Sequence, residues 1–212
     1  MQVLQEVANA IISGKMAETE KFVHQALESK IHVRDILNQG LIAGMDVVGK
    51  KFKNNEFYVP EVLIAARAMK AGMKILKPLF AASGVEPIAK LALGTVKGDL
   101  HDIGKNLVSM MLEGAGFEII DLGVDVTPEK FCAAVTENKA RVIGLSALLT
   151  TTMLNMKTTI EHLKNNGVRD SAKVVIGGAP VTQSYADEIG ADGYAADAAS
   201  AVAIVKNLLS IN

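Results

Sequence analysis

Cysteine is almost absent: Cys132 is the only one in 212 residues. That excludes a disulfide framework and a thiolate metal cluster, and leaves Cys132 reading as a small hydrophobe on a helix. Charge of either sign is not in excess. A formal net charge of −1 provides no electrostatic footprint for nucleic acid or an anionic membrane, and basic residues are scattered singly along the chain. No stretch approaches the roughly 18 consecutive apolar residues of a membrane span. The N-terminus carries Gln2, Gln5 and Glu6 and has no basic segment, so it does not read as a signal peptide. A cytoplasmic location is therefore expected. Low-complexity tracts and internal repeats are missing too.

What is present is apolar. Half of the residues are hydrophobic and 21% are charged, a balance that predicts a well-buried core rather than disorder. Up to about residue 83 the apolar positions follow helical spacing. Val33, Leu37, Leu41, Met45, Val48 and Phe52 form one series; Val59, Leu63, Ala66, Met69, Met73, Leu76 and Phe80 form another. Two further helices are expected near 2–12 and 16–29, parted by Ser13-Gly14, and Pro60 suits the first turn of the last helix. These make a four-helix bundle over residues 1–83.

Ser83-Gly84-Val85-Glu86-Pro87 then interrupts the pattern, and residues 84–89 read as a linker. From residue 90 to 212 short apolar runs alternate with helical segments. Strands are expected at Leu91–Val96, Glu118–Leu122, Val142–Leu148, Val174–Ile176 and Gly193–Ala196. Helices are expected near 104–115, 128–139, 152–166, 181–189 and 198–209. This alternation predicts an α/β domain: a flavodoxin-like, doubly wound, five-stranded parallel sheet whose ligand lies beyond the strand C-termini.

Glycines and hydroxyls gather at those predicted C-termini. Gly98-Asp99-Leu100-His101-Asp102-Ile103-Gly104 follows the first strand, Ser146 to Thr152 the third, Gly177-Gly178 the fourth and Ala198 the fifth. Small residues let a ligand approach the backbone, so one large, partly polar ligand across the whole edge is expected. A metal-bound imidazole usually gives its other N–H to a carboxylate, a role that Asp99 could fill for His101. Protein-only zinc sites need about three or four ligands, and no second histidine or cysteine is near. A lone histidine makes sense if the metal arrives in a macrocycle. Taken singly, each signal has a commoner explanation: Asp99 as a helix cap, the Gly177-Gly178 pair as a turn, the Thr150–Thr152 run as capping, and Met69 and Met73 as core. His24, His32 and His162 read as surface residues.

Asp99-x-His101-x-x-Gly104, followed by Ser146-x-Leu148 and Gly177-Gly178, resembles the signature of the cobalamin-binding domains. Gly44-Met45-Asp46-Val47-Val48-Gly49 and Phe57-Tyr58-Val59-Pro60-Glu61 resemble the helical cap of the cobalamin module of methionine synthase. The small corrinoid proteins of methanol, methylamine, betaine and aryl-ether methyl transfer share that arrangement. The resemblance covers nearly the whole chain. It implies that His101 replaces the cofactor's dimethylbenzimidazole as the lower cobalt ligand, with Asp99 hydrogen-bonded to the imidazole and Thr152 standing where the family has serine. It also implies that Asp102 and Gly104 belong to the ligand loop, that Ser146 and Thr150 meet the displaced nucleotide tail, that Leu148 is a cofactor-binding residue of the second motif, and that Gly177, Gly178 and Ala198 line the nucleotide pocket. Phe52 and Val59 would cover the upper, methyl-bearing face.

By the same resemblance the cofactor is cobalamin, cycling between cob(I)alamin and methylcobalamin. The chain would be a non-catalytic methyl carrier, too short to include a (β/α)8 methyltransferase barrel of about 250 residues. Its partners would be a substrate-specific methyltransferase, a second methyltransferase with an acceptor such as tetrahydrofolate, and a reductive activation protein. The linker would act as a hinge when the bundle moves aside. A cobalamin-dependent sensor is the alternative, expected to carry an added DNA-binding or signalling domain for which the chain leaves no room. An adenosylcobalamin mutase component would lack the helical cap, and a corrin-free flavodoxin-like domain would lack colour.

Overall fold

The computed structural model describes residues 2–211. It forms two compact units. One comprises the residues up to Ile88 with Glu113–Gly116; the other comprises Ala89–Leu112 and the residues from Phe117 onward.

In the first unit α1 (Gln2–Ile12) buries Leu4, Val7, Ala8 and Ile11, spaced three and four apart. Gly14, with φ +66°, ends the turn after it. Helix α2 (Met16–Glu28) buries Val23 and Ala26. The third rod is α3 (Val33–Asp35), a π-helical stretch (Ile36–Ile42) and α4 (Ala43–Lys53) in unbroken succession. His32, exposed, accepts the Arg34 N–H at its start. A regular helix was expected here. The π turn instead lets Ile36, Leu37, Gly40, Leu41 and Ile42 all be buried, more than one α-helical stripe could hide. Its glycines meet α1: a Cβ on Gly44 would lie 2.8 Å from the Ile11 Cβ.

Helix α5 (Val59–Ser83) starts with Glu61 accepting the Tyr58 N–H at 2.9 Å and Pro60 in the first turn. Its buried face is displaced from the expected stripe. Val62, Ala65, Ala68, Met69 and Leu76 are buried, whereas Val59 is 41% exposed and Leu63, Ala66 and Met73 are half-buried. The alanines and Gly72 allow close approach; a Cβ on Gly72 would stand 2.6 Å from Leu41. The same helix corrects the reading of scattered basic residues. Steps of three and four bring Arg67, Lys70, Lys74 and Lys77 onto one exposed face.

The second unit holds the α/β fold that the alternating pattern predicts. Strands β1 (Lys90–Val96), β2 (Glu118–Val126), β3 (Val142–Ser146), β4 (Lys173–Gly177) and β5 (Gly193–Ala195) form one parallel sheet in the order β2-β1-β3-β4-β5. Between them lie α6 (Ile103–Gly114), α7 (Pro128–Thr136), α8 (Thr150–Asn165) and α9 (Gln183–Ile189), with α10 (Ala198–Leu208) last. Strand β1 is buried almost throughout because helices cover both sheet faces. Phe131, Ile143, Met156, Ile160 and Ile176 anchor the core, and Cys132 packs against it half-buried.

Strand β2 runs four residues past its expected end at Leu122. From Leu93 to Val96 on β1 the partner strand advances from Asp121 to Val126, so β2 carries two extra residues as bulges. Gly123 and Asp125 absorb them with φ +84° and +51°.

Candidate functional site

The strand order reverses direction at β1 and β3. Loops leaving these neighbouring strands turn to opposite faces and open a crevice at their C-termini. Asp99 lies in the β1 loop and reaches across this point. Its fully buried carboxylate accepts at both oxygens. Oδ1 takes the His101 backbone N–H (3.1 Å) and contacts His101 Nδ1 (2.7 Å). Oδ2 takes the N–H groups of Leu148 (2.8 Å) and Leu149 (3.3 Å) and the Thr152 hydroxyl (2.6 Å).

Burial alone pushes the Asp99 carboxyl up. The hydrogen bonds from Thr152 and His101 and from the Leu148 and His101 N–H groups outweigh it and hold the group far below the usual carboxylate range. The Thr152 hydroxyl also lies 2.9 Å from the Leu149 carbonyl. It has one proton, and the shorter contact to the anion takes it.

An ionised carboxylate 2.7 Å from Nδ1 fixes the imidazole with its proton on Nδ1. In the neutral ring that tautomer makes Nε2 the acceptor nitrogen, and the His101 side chain is half exposed. The loop that carries it is tied down elsewhere. The Thr95 hydroxyl donates to the His101 carbonyl at 2.9 Å, and the Asn155 amide to the Lys97 carbonyl at 2.8 Å.

Large apolar side chains next to His101 in sequence and at the end of β3 are exposed. Leu100 is 70% exposed, Ile103 84%, Leu148 44% and Leu149 43%. Leu100, Leu148 and Leu149 in the two loops, with Ile103 at the start of α6, are exposed apolar side chains that a ligand at these strand ends would cover. Beyond them the edge is pared to the backbone. A Cβ on Gly178, which has φ +132°, would collide with the Ala147 carbonyl, and one on Gly177 would lie 2.9 Å from the Ala195 carbonyl. Gly104 opens onto free space.

The remaining expected residues are placed as follows. Ser146 ends β3, half-buried, paired with Thr95 and Gly177. Thr150 opens α8, exposed, and Ala198 is buried in the first turn of α10 behind the Asp197–Ser200 capping box. Asp102 precedes α6 and accepts the Asn106 amide at 3.0 Å. Thus the second unit brings Asp99, His101, Leu148 and Thr152 into direct hydrogen-bonded contact, with Asp102, Gly104, Ser146, Thr150, Gly177, Gly178 and Ala198 at the same strand ends. Phe52, in the last turn of α4, and Val59, the first residue of α5, lie in the first unit.

Sequence reasoning missed several supports. Asp125 accepts the Gly98 N–H at 2.7 Å. Lys105, buried, reaches Asp121 at 2.6 Å and Asn106 at 2.8 Å. Burial pushes the Asp121 carboxyl up, but Lys105 and the Gly123 N–H hold it below its ordinary value. The signals were present: acidic residues inside an apolar strand run, at Asp121 and Asp125, and a lysine within the glycine-rich loop region.

The donor set suits a metal that arrives already held. Among the described residues no three His, Cys, Asp or Glu side chains gather to bind an ion, so His101 offers a single nitrogen. No helix among them is long and apolar enough to cross a membrane.

Comparison with known proteins extends this picture. Residues 89–203 match one B12-binding domain model and residues 3–77 another. A corrinoid protein from Desulfitobacterium hafniense (strain Y51) is 44% identical over 212 residues, covering 99% of this chain and 98% of its own length. A dimethylamine corrinoid protein from Methanosarcina barkeri is 46% identical over 211 residues, covering 99% of this chain and 98% of its own. Among solved structures, a chain of the methanol:cobalamin methyltransferase complex from Methanosarcina barkeri superposes with a TM-score of 0.89 at 29% identity. That match covers 99% of this chain and 80% of the other.

Proposed function

Since the chain belongs to the corrinoid proteins built from B12-binding domains, we propose that it carries a methyl group on a cobalamin bound base-off, with His101 Nε2 as the lower axial ligand. It is a cobalamin-binding methyl carrier, and catalysis belongs to its methyltransferase partners. The bound cofactor supplies a cobalt centre that accepts a methyl group and gives it up again. Everything else is work for the chain's own side chains.

One observation carries the reading: a buried carboxylate engages Nδ1 of an imidazole whose side chain stays half exposed, so that Nε2 is the nitrogen not engaged by Asp99. Asp99 orients the ring, and Thr152 and the Leu148 and Leu149 N–H groups orient Asp99. Leu100, Ile103, Leu148 and Leu149 supply the apolar floor for a flat macrocycle. Gly177 and Gly178, with Ser146, Thr150 and Ala198 nearby, form a small-residue edge along which a nucleotide tail could run, and Asp102 and Gly104 complete the ligand loop. Phe52 and Val59 are assigned to the opposite, methyl-bearing face of the cofactor, with residues 1–83 as its helical cap, 84–89 as hinge and 90–212 as the cofactor domain.

The partner methyltransferase is of the methylamine type, by likeness to relatives named dimethylamine and trimethylamine corrinoid proteins. A tetrahydrofolate acceptor, a reductive activation protein and a cytoplasmic setting complete the proposal.

The test uses the full chain reconstituted anaerobically with cobalamin and reduced to its one-electron paramagnetic state. With ¹⁵N-histidine labelling the axial nitrogen splitting should change from three lines to two, and His101→Ala should abolish the two-line pattern. A three-line splitting indifferent to the label would assign the axial nitrogen to the cofactor's own base and overturn the His101 role.

A further inference from the structure

We propose that Asp125, at the bulged end of β2, is a positioning residue for the His101 loop. The proposal rests on the reading of His101 as the cobalt-facing ligand and adds the residue that aims it.

Asp125 has no packing reason to adopt its conformation. Its side chain is exposed, yet its backbone lies in the left-handed region at φ +51°, where residues other than glycine are disfavoured. What the conformation achieves is a reciprocal clasp. The Asp125 carboxylate accepts the Gly98 N–H at 2.7 Å, and the Asp125 N–H donates to the Asp99 carbonyl at 3.0 Å. The two bonds bracket the Gly98–Asp99 segment at both ends.

Gly98 itself has φ +81°, and the Asp99 N–H is held by the Val96 carbonyl at 3.1 Å. With the clasp in place the direction of the Asp99 Cα–Cβ bond is set, and with it the carboxylate that holds His101 Nδ1. The two extra residues of β2 provide the reach. They fall between Asp121 and Val126, in the stretch of β2 that carries Asp125. Bulges of this kind re-aim side chains beside functional sites.

Asp125→Gly separates positioning from folding. Glycine tolerates the left-handed backbone, so the substitution removes the carboxylate while relieving the strained φ. Asp125→Asn keeps an acceptor oxygen and should behave as wild type. Two readouts on the full chain are needed. In the cofactor-free protein, the ring ¹⁵N shifts of His101 at fixed pH report which nitrogen carries the proton. In the reconstituted protein, dissociation of hydroxocobalamin reports affinity.

For Asp125→Gly we expect an unfolding midpoint near wild type, a mixture of His101 tautomers instead of one, and hydroxocobalamin held about tenfold less tightly, the scale of one lost hydrogen bond to a charged group. An unchanged tautomer and unchanged affinity would overturn the proposal. So would an affinity loss that tracks a loss of stability equally in Asp125→Gly and Asp125→Asn. If the wild-type chain binds no hydroxocobalamin while Asp125→Gly still scrambles the tautomer, the positioning role stands and the cofactor reading falls.

Discussion

Thr152 shows how much depends on one hydroxyl. Its Oγ1 donates to Asp99 at 2.6 Å, one of the bonds that keep this buried carboxylate ionised. Thr152→Val takes a donor from a buried carboxylate and should destabilise the cofactor-free protein by about 1–3 kcal/mol; Thr152→Ser keeps the donor and should cost less than about 1 kcal/mol. Urea denaturation of both variants decides this. Asp99 also dictates an acid response. Its folded carboxyl titrates below its unfolded value, so its contribution is complete above the ordinary carboxylate range. That contribution fades as pH falls below about 4 toward the depressed folded value. Asp99→Asn should flatten this limb of the stability profile. An identical slope in wild type and variant would show that other carboxylates govern it. The contact between Asp99 and His101 was legible because the residue types and spacing of that pair carry chemistry, whereas Thr152 was marked only by the family resemblance. Asp125 and Lys105 were not legible, because their roles depend on a bulge and on burial that one-dimensional spacing does not encode.

Elements were legible where period and side-chain type agreed. All five strands and the helices between them occur in the expected order, since a sheet covered on both faces demands apolar runs, but β2 overruns its expected end and β3 stops at Ser146, two residues short of the expected Leu148. Two of the misses share a cause: backbone irregularity. The π turn at Ile36–Ile42 and the bulged end of β2 are decided by neighbours, with Gly40 and Gly44 against α1 and Gly123 and Asp125 beside the β1 loop. The α5 stripe was misplaced because small alanines, not the larger Leu63 and Met73, pack inward. Two glycines test the distinction between packing and access. Gly44→Ala would press a methyl against Ile11 and the Ala8 carbonyl and should cost about 1–3 kcal/mol. Gly104→Ala meets nothing within 4 Å, so the cofactor-free fold should be as stable or slightly more so, while cobalamin affinity falls if the loop approaches the ligand. Thermal melts with and without cobalamin separate the two outcomes.

The whole molecule is two units, with the hydrogen-bonded loops around His101 confined to the second. Ligand linkage should therefore be concentrated there. Cobalamin at 100 times its dissociation constant should stabilise the cofactor domain by about 2.7 kcal/mol, and removing it should return the cofactor-free value. Hydrogen exchange should slow most at Gly98–Asp102 and Ala147–Thr152; protection spread evenly over both units would contradict this placement. A last consequence follows from the saturation of Asp99. With every lone pair of that anion engaged and one imidazole nitrogen already committed to it, the ring cannot turn over without breaking its strongest bond. The incoming guest finds a handle that folding has already frozen in one orientation, so little ordering is left to be done at the moment of capture.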